Sequence, residues 1–259
     1  MDQQDWRREV LLKRKIVKKS ILITGVTSGI GKAIAEELLL DSNIQLFGIG
    51  RDRTKIQHLI NNNVNFTFIN FDLFQIDKVE GLFKEEFNDI KFSGFIHCAG
   101  IEETLPISLY TPEKVRSIFQ INVFSAIELL RFLSKKKHSL DGASFILMSS
   151  VMGELGQAGK VGYCSSKAAL LGVVKSLALE LSKRVIRVNA VLPGIVNTPL
   201  TEKLFEQLDE ENVRKIKSMH PIGIGEVSDV VGILMYLLSD KSKWVTGQNF
   251  KIDGGYSIQ

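Results

Sequence analysis

Short runs of consecutive apolar residues alternate along the chain with longer segments in which apolar residues recur every three or four positions. Residues 20–24, with Ile21, Leu22 and Ile23 at their centre, and 44–49, 65–70, 94–97, 143–148 and 185–191 read as buried strands, and a seventh run lies within 247–255. Between them, Ile30, Ala33, Ile34 and Leu38 mark one helix, and 111–132, 163–181 and 226–238 mark others. Thr111 caps the second of these and Pro112 takes its first position. Strand and helix in turn predict an α/β fold, a single doubly wound parallel sheet of seven strands with crossovers on both faces.

Composition narrows the picture. The 259 residues, 44% of them hydrophobic, suffice for a sizeable core, and the unbroken alternation favours one domain over 20–259. The formal charge of +4 resides in 1–19, where Arg7, Arg8, Lys13, Arg14, Lys15, Lys18 and Lys19 outnumber three acids. This basic N-terminal leader carries Trp6, Val10, Leu11, Ile16 and Val17 in a partial helical pattern. The remainder is charge-balanced, which argues against a nucleic-acid groove. Cys98 and Cys164 cannot build a disulfide framework, and no spacing of His and Cys suggests a metal, so a reducing cytoplasm is expected. The longest apolar run, 230–238, is too short for a membrane span.

The chemistry concentrates in two stretches. Tyr163 and Lys167 stand four apart in a helical pattern and share a face, so an ammonium is expected to lower the pKa of a phenol. Ser150 lies thirteen residues before Tyr163, at the end of a strand, where its hydroxyl can hold a substrate oxygen. Alone, each has an ordinary reading as an amphipathic edge, a solvated charge or a turn cap. The string Thr24–Gly31 changes the weighing. It is a strand, a glycine turn and a helix start, in which Gly25, Gly29 and Gly31 let the backbone approach a pyrophosphate at the helix N-terminus. After the second strand come Gly50, Arg51 and Asp52; an acid there bonds ribose hydroxyls and an arginine receives a 2′-phosphate, and spacing alone does not choose between Arg51 and Asp52.

Together, TGVTSGIG, the later Ser150 and the Tyr163 to Lys167 spacing resemble the short-chain dehydrogenase/reductase family from residue 20 onward. The resemblance implies a Rossmann fold and a catalytic set of Asn122, Ser150, Tyr163 and Lys167. It implies cofactor contacts from Gly25, Thr27, Ser28, Gly29, Ile30 and Gly31, with Asp72 and Leu73 at the adenine and Ala99 and Gly100 at the ribose. Tyr163 and Lys167 join them, and Pro193, Gly194, Ile195 and Thr198 cover the nicotinamide. Gly50 stands where NAD enzymes carry their acid, and Arg51 where NADP-preferring members place a base. NADP(H) is therefore expected, with NAD(H) the alternative. His97 and Cys98 depart from the family's Asn-Asn, and His97 is expected to substitute structurally.

In the implied mechanism Tyr163 protonates a carbonyl oxygen, Ser150 positions it, and Asn122 holds a water that relays protons through Lys167. A lid over about 198–221 should close a pocket drawing on Glu102, Glu103, Val151, Met152, Glu154 and Gln157, with Leu200, Leu204, Phe205 and Leu208 from the lid. The string is most similar to members that reduce 3-oxoacyl groups on an acyl carrier protein. Lys135, Lys136, Lys137, Lys183 and Arg184 are candidates to dock that carrier. An NAD-dependent alcohol or hydroxysteroid-type dehydrogenase and a non-catalytic binding member are the rivals. A homotetramer is expected, paired through 111–132 and 163–183 with Leu129, Phe132, Leu171 and Leu179 outermost.

Overall fold

The computed structural model describes residues 19–206 and 208–258, so the leader expected over 1–19 falls, but for Lys19, outside the described residues. Seven strands make one parallel sheet: β1 (Lys19–Thr24), β2 (Ile44–Gly50), β3 (Phe66–Asn70), β4 (Phe92–His97), β5 (Ser139–Met148), β6 (Arg187–Pro193) and β7 (Asn249–Ile252). Their spatial order is β3-β2-β1-β4-β5-β6-β7, so the direction of winding reverses between β1 and β4. A crevice opens at the carboxyl ends of strands at such a point, where ligands bind in open α/β sheets.

The helices are α1 (Gly29–Leu38), α2 (Gln57–Asn62), α3 (Val79–Glu85), α4 (Pro112–Phe119), α5 (Ser125–Leu133), α6 (Val161–Glu180), α7 (Pro199–Glu206), α8 (Glu210–Ser218) and α9 (Val227–Leu238). Alternation along the strands builds a core on each face of the sheet. In β1, Leu22 joins the layer covered by α3, α5 and α6, while Ile21 and Ile23 join the layer covered by α1 and α9. The first layer holds a nest of phenylalanines around Phe92, which meets Phe47 and Phe87 edge to face at 5.5 and 5.1 Å. Phe92 opens β4, so this anchor lies at the amino end of that strand and leaves the carboxyl end for chemistry.

Three expectations need correction. The helix predicted over 111–132 is interrupted: α4 stops at Phe119, a π-turn spans Gln120–Phe124, and α5 resumes at Ser125. The strand predicted to begin at 185 begins at Arg187, because Val185 adopts a left-handed φ of 56° in the turn that follows α6. Leu129, Phe132 and Leu171 point inward and are buried, so of the four residues assigned to outer helix faces only Leu179 is exposed. Phe124, Ile127 and Val161 are the other large apolar side chains exposed along these segments.

Candidate active site

The glycine turn forms as its sequence dictates. Gly25 takes a φ of +71°, and a Cβ there would lie 2.8 Å from the Ala99 nitrogen; at Gly31 a Cβ would meet the Gly25 carbonyl oxygen at 2.3 Å. Only bare backbone permits β1, α1 and the 98–100 segment to approach so closely. Ser28 precedes α1 in extended conformation and makes no side-chain cap bond, which leaves the first-turn N–H groups open to an anion. Beside the turn, Thr27 crowds Gly50, where a Cβ would come within 2.6 Å of the threonine methyl. No acid fits at that position without displacement. Arg51 is exposed, and no ion pair ties it among the described residues. Asp52 turns the other way: its carboxylate accepts from the Thr54 N–H at 3.0 Å and lies 3.9 Å from Lys55. Asp72 caps its own turn by accepting from the Phe74 N–H at 3.1 Å, and Leu73 is buried beside it.

At the end of β4, His97 fills a structural role. Its Nδ1 pairs with the Thr24 hydroxyl at 2.9 Å, and that hydroxyl accepts from the Ala99 N–H at 3.2 Å, so the imidazole fixes the turn toward Gly100. Burial, reinforced by the Lys167 ammonium, holds its pKa down to about 3, and the neutral ring is no base at physiological pH. Burial likewise pushes the Cys98 thiol up to about 12. Asn122, wholly buried within the π-turn, accepts from the Ile101 N–H at 2.8 Å and donates to the Ile101 carbonyl at 3.0 Å and the Ser166 hydroxyl at 2.9 Å. The Asn122 side chain thus pins the backbone at Ile101.

Ser150 follows β5, accepts from the Met152 N–H at 3.2 Å, and directs its hydroxyl to the Tyr163 phenol oxygen. Tyr163 and Lys167 lie one turn apart on α6, and the Lys167 nitrogen sits 5.7 Å from the phenol ring centroid. Its ammonium donates to the Met148 carbonyl at 2.8 Å. The expected depression of the phenol pKa by Lys167 does not appear. Burial raises Tyr163 well above its usual range, the Glu102 charge adds to the rise, and the Ser150 hydroxyl offsets only part of it. Lys167 moves the other way: burial lowers it to about 8, opposed by Cys98 and Glu102. Gly100 keeps this corner open, since a Cβ there would stand 3.3 Å from both the Lys167 nitrogen and the Asn122 carbonyl oxygen.

These groups line a cleft of about 460 Å³ walled on its far side by Pro193, Gly194, Ile195 and Thr198. Val151, Met152, Glu102 and Gln157 line it as predicted, as do Leu200 and Leu204 of α7. Glu103 does not, because it pairs with Lys114 at 2.6 Å; Glu154 is drawn away by Lys251 at 2.9 Å. Phe205 and Leu208 border a separate shallow depression with Val213. Ile216 of α8 and Met219 just after it complete the apolar side; they lie within the expected lid but were not singled out, and sequence reasoning missed Lys160, which is buried in the wall against Glu102. The signal for Lys160 was a lysine three residues before Tyr163 in an otherwise small and apolar stretch. Of the proposed docking cations, Arg184 is already taken by Asp141 at 2.8 Å and the Ser139 carbonyl at 2.8 Å. Among the described residues no cluster of acids, His and Cys is suited to a metal, and no helix is long and apolar enough to cross a membrane.

Comparison with known proteins gives a consistent result. A family model described as enoyl-(acyl carrier protein) reductase matches residues 25–257. The 3-oxoacyl-[acyl-carrier-protein] reductase FabG of Rickettsia felis is 33% identical over 246 residues, covering 92% of this chain and 96% of that protein. Among solved structures, a short chain dehydrogenase family protein from Francisella tularensis superposes with a TM-score of 0.83 at 31% identity, over 93% of this chain and 99% of that one. A 4-hydroxyisoleucine dehydrogenase complexed with NADH superposes with a TM-score of 0.86 at 28% identity, over the same 93% and 99%.

Proposed function

Because this chain belongs to the short-chain dehydrogenase/reductase family of oxidoreductases, we propose that it interconverts a carbonyl and a secondary alcohol with NADP(H), its substrates 3-oxoacyl thioesters such as those on an acyl carrier protein. The observation that carries this reading is the meeting of Ser150, Tyr163 and Lys167 in one cleft beside the glycine turn.

The turn fits a dinucleotide on its own geometry, in the side-chain-free approach at Gly25 and Gly31 and the uncapped start of α1. Gly25, Thr27, Ser28, Gly29, Ile30 and Gly31 would hold its phosphates, Arg51 a 2′-phosphate, Asp72 and Leu73 the adenine, and Ala99 and Gly100 a ribose. Pro193, Gly194, Ile195 and Thr198 would flank the nicotinamide. Bound there, the dinucleotide supplies or accepts the hydride. Ser150 donates to the substrate oxygen. Tyr163, its pKa raised, keeps its proton at neutral pH and gives it to that oxygen as reduction proceeds. Lys167 presents an ammonium beneath the ring and to the ribose side, and Asn122 steadies the 100–101 backbone that both approach. Helices α7 and α8 act as the lid, with Leu200, Leu204, Ile216 and Met219 toward the acyl chain.

The R. felis relative supports the 3-oxoacyl substrate through its name. The NADH complex of the 4-hydroxyisoleucine dehydrogenase favours a second reading, an NAD-dependent alcohol dehydrogenase; the crowding of Gly50 by Thr27 weighs against it. A non-catalytic role is disfavoured by the complete set of Asn122, Ser150, Tyr163 and Lys167. We assign the protein to the cytoplasm and to a homotetramer joined through Phe124, Ile127, Val161 and Leu179, which light scattering tests.

The deciding experiment is NADPH oxidation against a panel of ketones and acyl thioesters, with Tyr163→Phe as control. The variant should bind NADPH as the wild type does and lose at least roughly a hundredfold in kcat. Retention of a tenth of the wild-type rate would remove Tyr163 from the mechanism.

A further inference from the structure

Lys160 and Glu102 form an ion pair in the cleft wall that the four-residue site does not employ. Only 5% of the lysine side chain and 15% of the glutamate side chain are exposed. Lys160 caps the start of α6, three residues before Tyr163, and its nitrogen stands 5.8 Å from the centroid of that ring. Two ammonium groups thus flank one phenol, Lys167 bonded inward to Met148 and Lys160 facing the cleft. Desolvating two charges is costly and calls for a return beyond their mutual attraction.

Holding the fold does not explain the pair. The loop after Ile101 is already tied down by the Leu105 N–H to the Gly159 carbonyl at 2.7 Å and the Tyr110 hydroxyl to the Glu103 carbonyl at 2.9 Å. Lys114 to Glu103 at 2.6 Å secures it further. Among the described contacts the Lys160 ammonium donates a hydrogen bond to Glu102 alone, which leaves two N–H donors beside the Tyr163 ring. Because Glu102 balances its charge, the ammonium presents donors without a net positive field.

We propose that Lys160, positioned by Glu102, is a specificity-determining donor for a second, neutral oxygen of the substrate, so that the cleft selects β-oxo esters and thioesters over plain ketones and over free 3-oxo acids. The proposal rests on the oxidoreductase reading above and names the substrate feature which that site recognises. With the reacting oxygen at Ser150 and Tyr163, a donor at the flank of the phenol meets an acceptor a few bonds along the substrate. A plain ketone leaves the buried donors unpaired, and a site built to bond a group discriminates strongly against an analogue that lacks it. A free carboxylate satisfies Lys160 but meets the charge of Glu102, which selects against it.

The test compares kcat/KM of the full chain with NADPH for an acetoacetyl N-acetylcysteamine thioester, a methyl ketone of similar length and free acetoacetate. The thioester should exceed both others by roughly tenfold or more. Lys160→Met should collapse the thioester-to-ketone ratio by a similar factor, while Lys160→Gln, which keeps a neutral donor, restores part of it. Glu102→Gln should raise the free acid relative to the thioester, a shift that a merely structural glutamate would not cause. Thermal melting and NADPH titration show whether each variant is folded; if Lys160→Met is not, the Lys160→Gln ratio and the wild-type ranking decide. Equal wild-type kcat/KM for thioester and ketone, or a ratio unchanged in the variants, would overturn the proposal. Failure of the wild type to reduce any carbonyl with either cofactor defeats the oxidoreductase reading itself, and is told apart because it does not depend on residue 160.

Discussion

Replacing Arg51 by alanine isolates the contact on which the cofactor assignment depends. The guanidinium is exposed at the end of β2, directly after Gly50, where Thr27 leaves no room for even a Cβ without displacement. Asp52, the one carboxylate next to it in sequence, is held by the Thr54 N–H and by Lys55. The Thr54 bonds are the main reason its pKa lies below the usual carboxylate range. A 2′-phosphate there would meet a cation and no competing acid. A charge-assisted hydrogen bond contributes about 1.5–3 kcal/mol, so Arg51→Ala should weaken NADPH binding roughly ten- to a hundredfold. NADH, without the phosphate, should lose less than about twofold, because no other group is disturbed. Quenching of protein fluorescence on titration with each reduced cofactor measures both constants, and the NADPH constant of the wild type should weaken with added salt as that of Arg51→Ala does not. A wild type that prefers NADH, or a variant that loses both cofactors equally, would refute the assignment and return Asp52 to the ribose.

Three further outcomes are expected. His97 titrates at about 3 in the fold against an ordinary 6.5, so the unfolded chain gains its proton first as pH falls; stability should drop below about pH 6.5 by up to about 1.4 kcal/mol per unit. His97→Asn should flatten that acid limb in urea melts at pH 7, 6 and 5, and parallel slopes would contradict the assignment of a buried neutral ring. Lys167→Met removes a charge whose burial lowers its pKa to about 8, so it should abolish turnover while melting no lower than wild type at pH 7; a clear loss of Tm would show that the Met148 bond outweighs desolvation. Asn122→Ala leaves the Ile101 N–H and C=O unpaired at a cost of about 1–3 kcal/mol for each buried group, and should lower Tm and quicken hydrogen exchange at the Ile101 amide, whereas unchanged exchange there would deny its pinning role.

Much of this architecture was legible because its signals are local. Ile21 to Ile23 run unbroken since β1 is covered on both faces, and Gly25 and Gly31 are required by contacts within the turn and with the segment after β4. The long helix predicted over 111–132 shows where such reading stops. Its apolar spacing is continuous through Ile118, Ile121 and Leu129, yet the π-turn at Gln120–Phe124 is set by what Asn122 meets across the fold, namely Ile101 and Ser166. Leu129 and Phe132 were misplaced for a related reason, since periodicity marks an apolar face without saying whether a sheet or a second subunit covers it.

The phenol of Tyr163 carries the same lesson into chemistry. Spacing correctly placed Lys167 one turn away, but proximity of two side chains does not fix which atom the charge addresses. The Met148 carbonyl, brought in from the end of β5, accepts from the ammonium; burial raises the phenol, and Glu102 raises it further. A phenol held above its ordinary pKa in the resting fold keeps the proton that reduction requires, though as a weaker acid, and leaves little of the phenolate that would deprotonate an alcohol. The resting fold therefore populates the protonated form, and alcohol oxidation, which needs the phenolate, should keep rising with pH into the alkaline range where ketone reduction no longer gains. Coincident profiles in the two directions would mean that Tyr163 titrates near its ordinary value, and that neither burial nor Glu102 governs it during turnover.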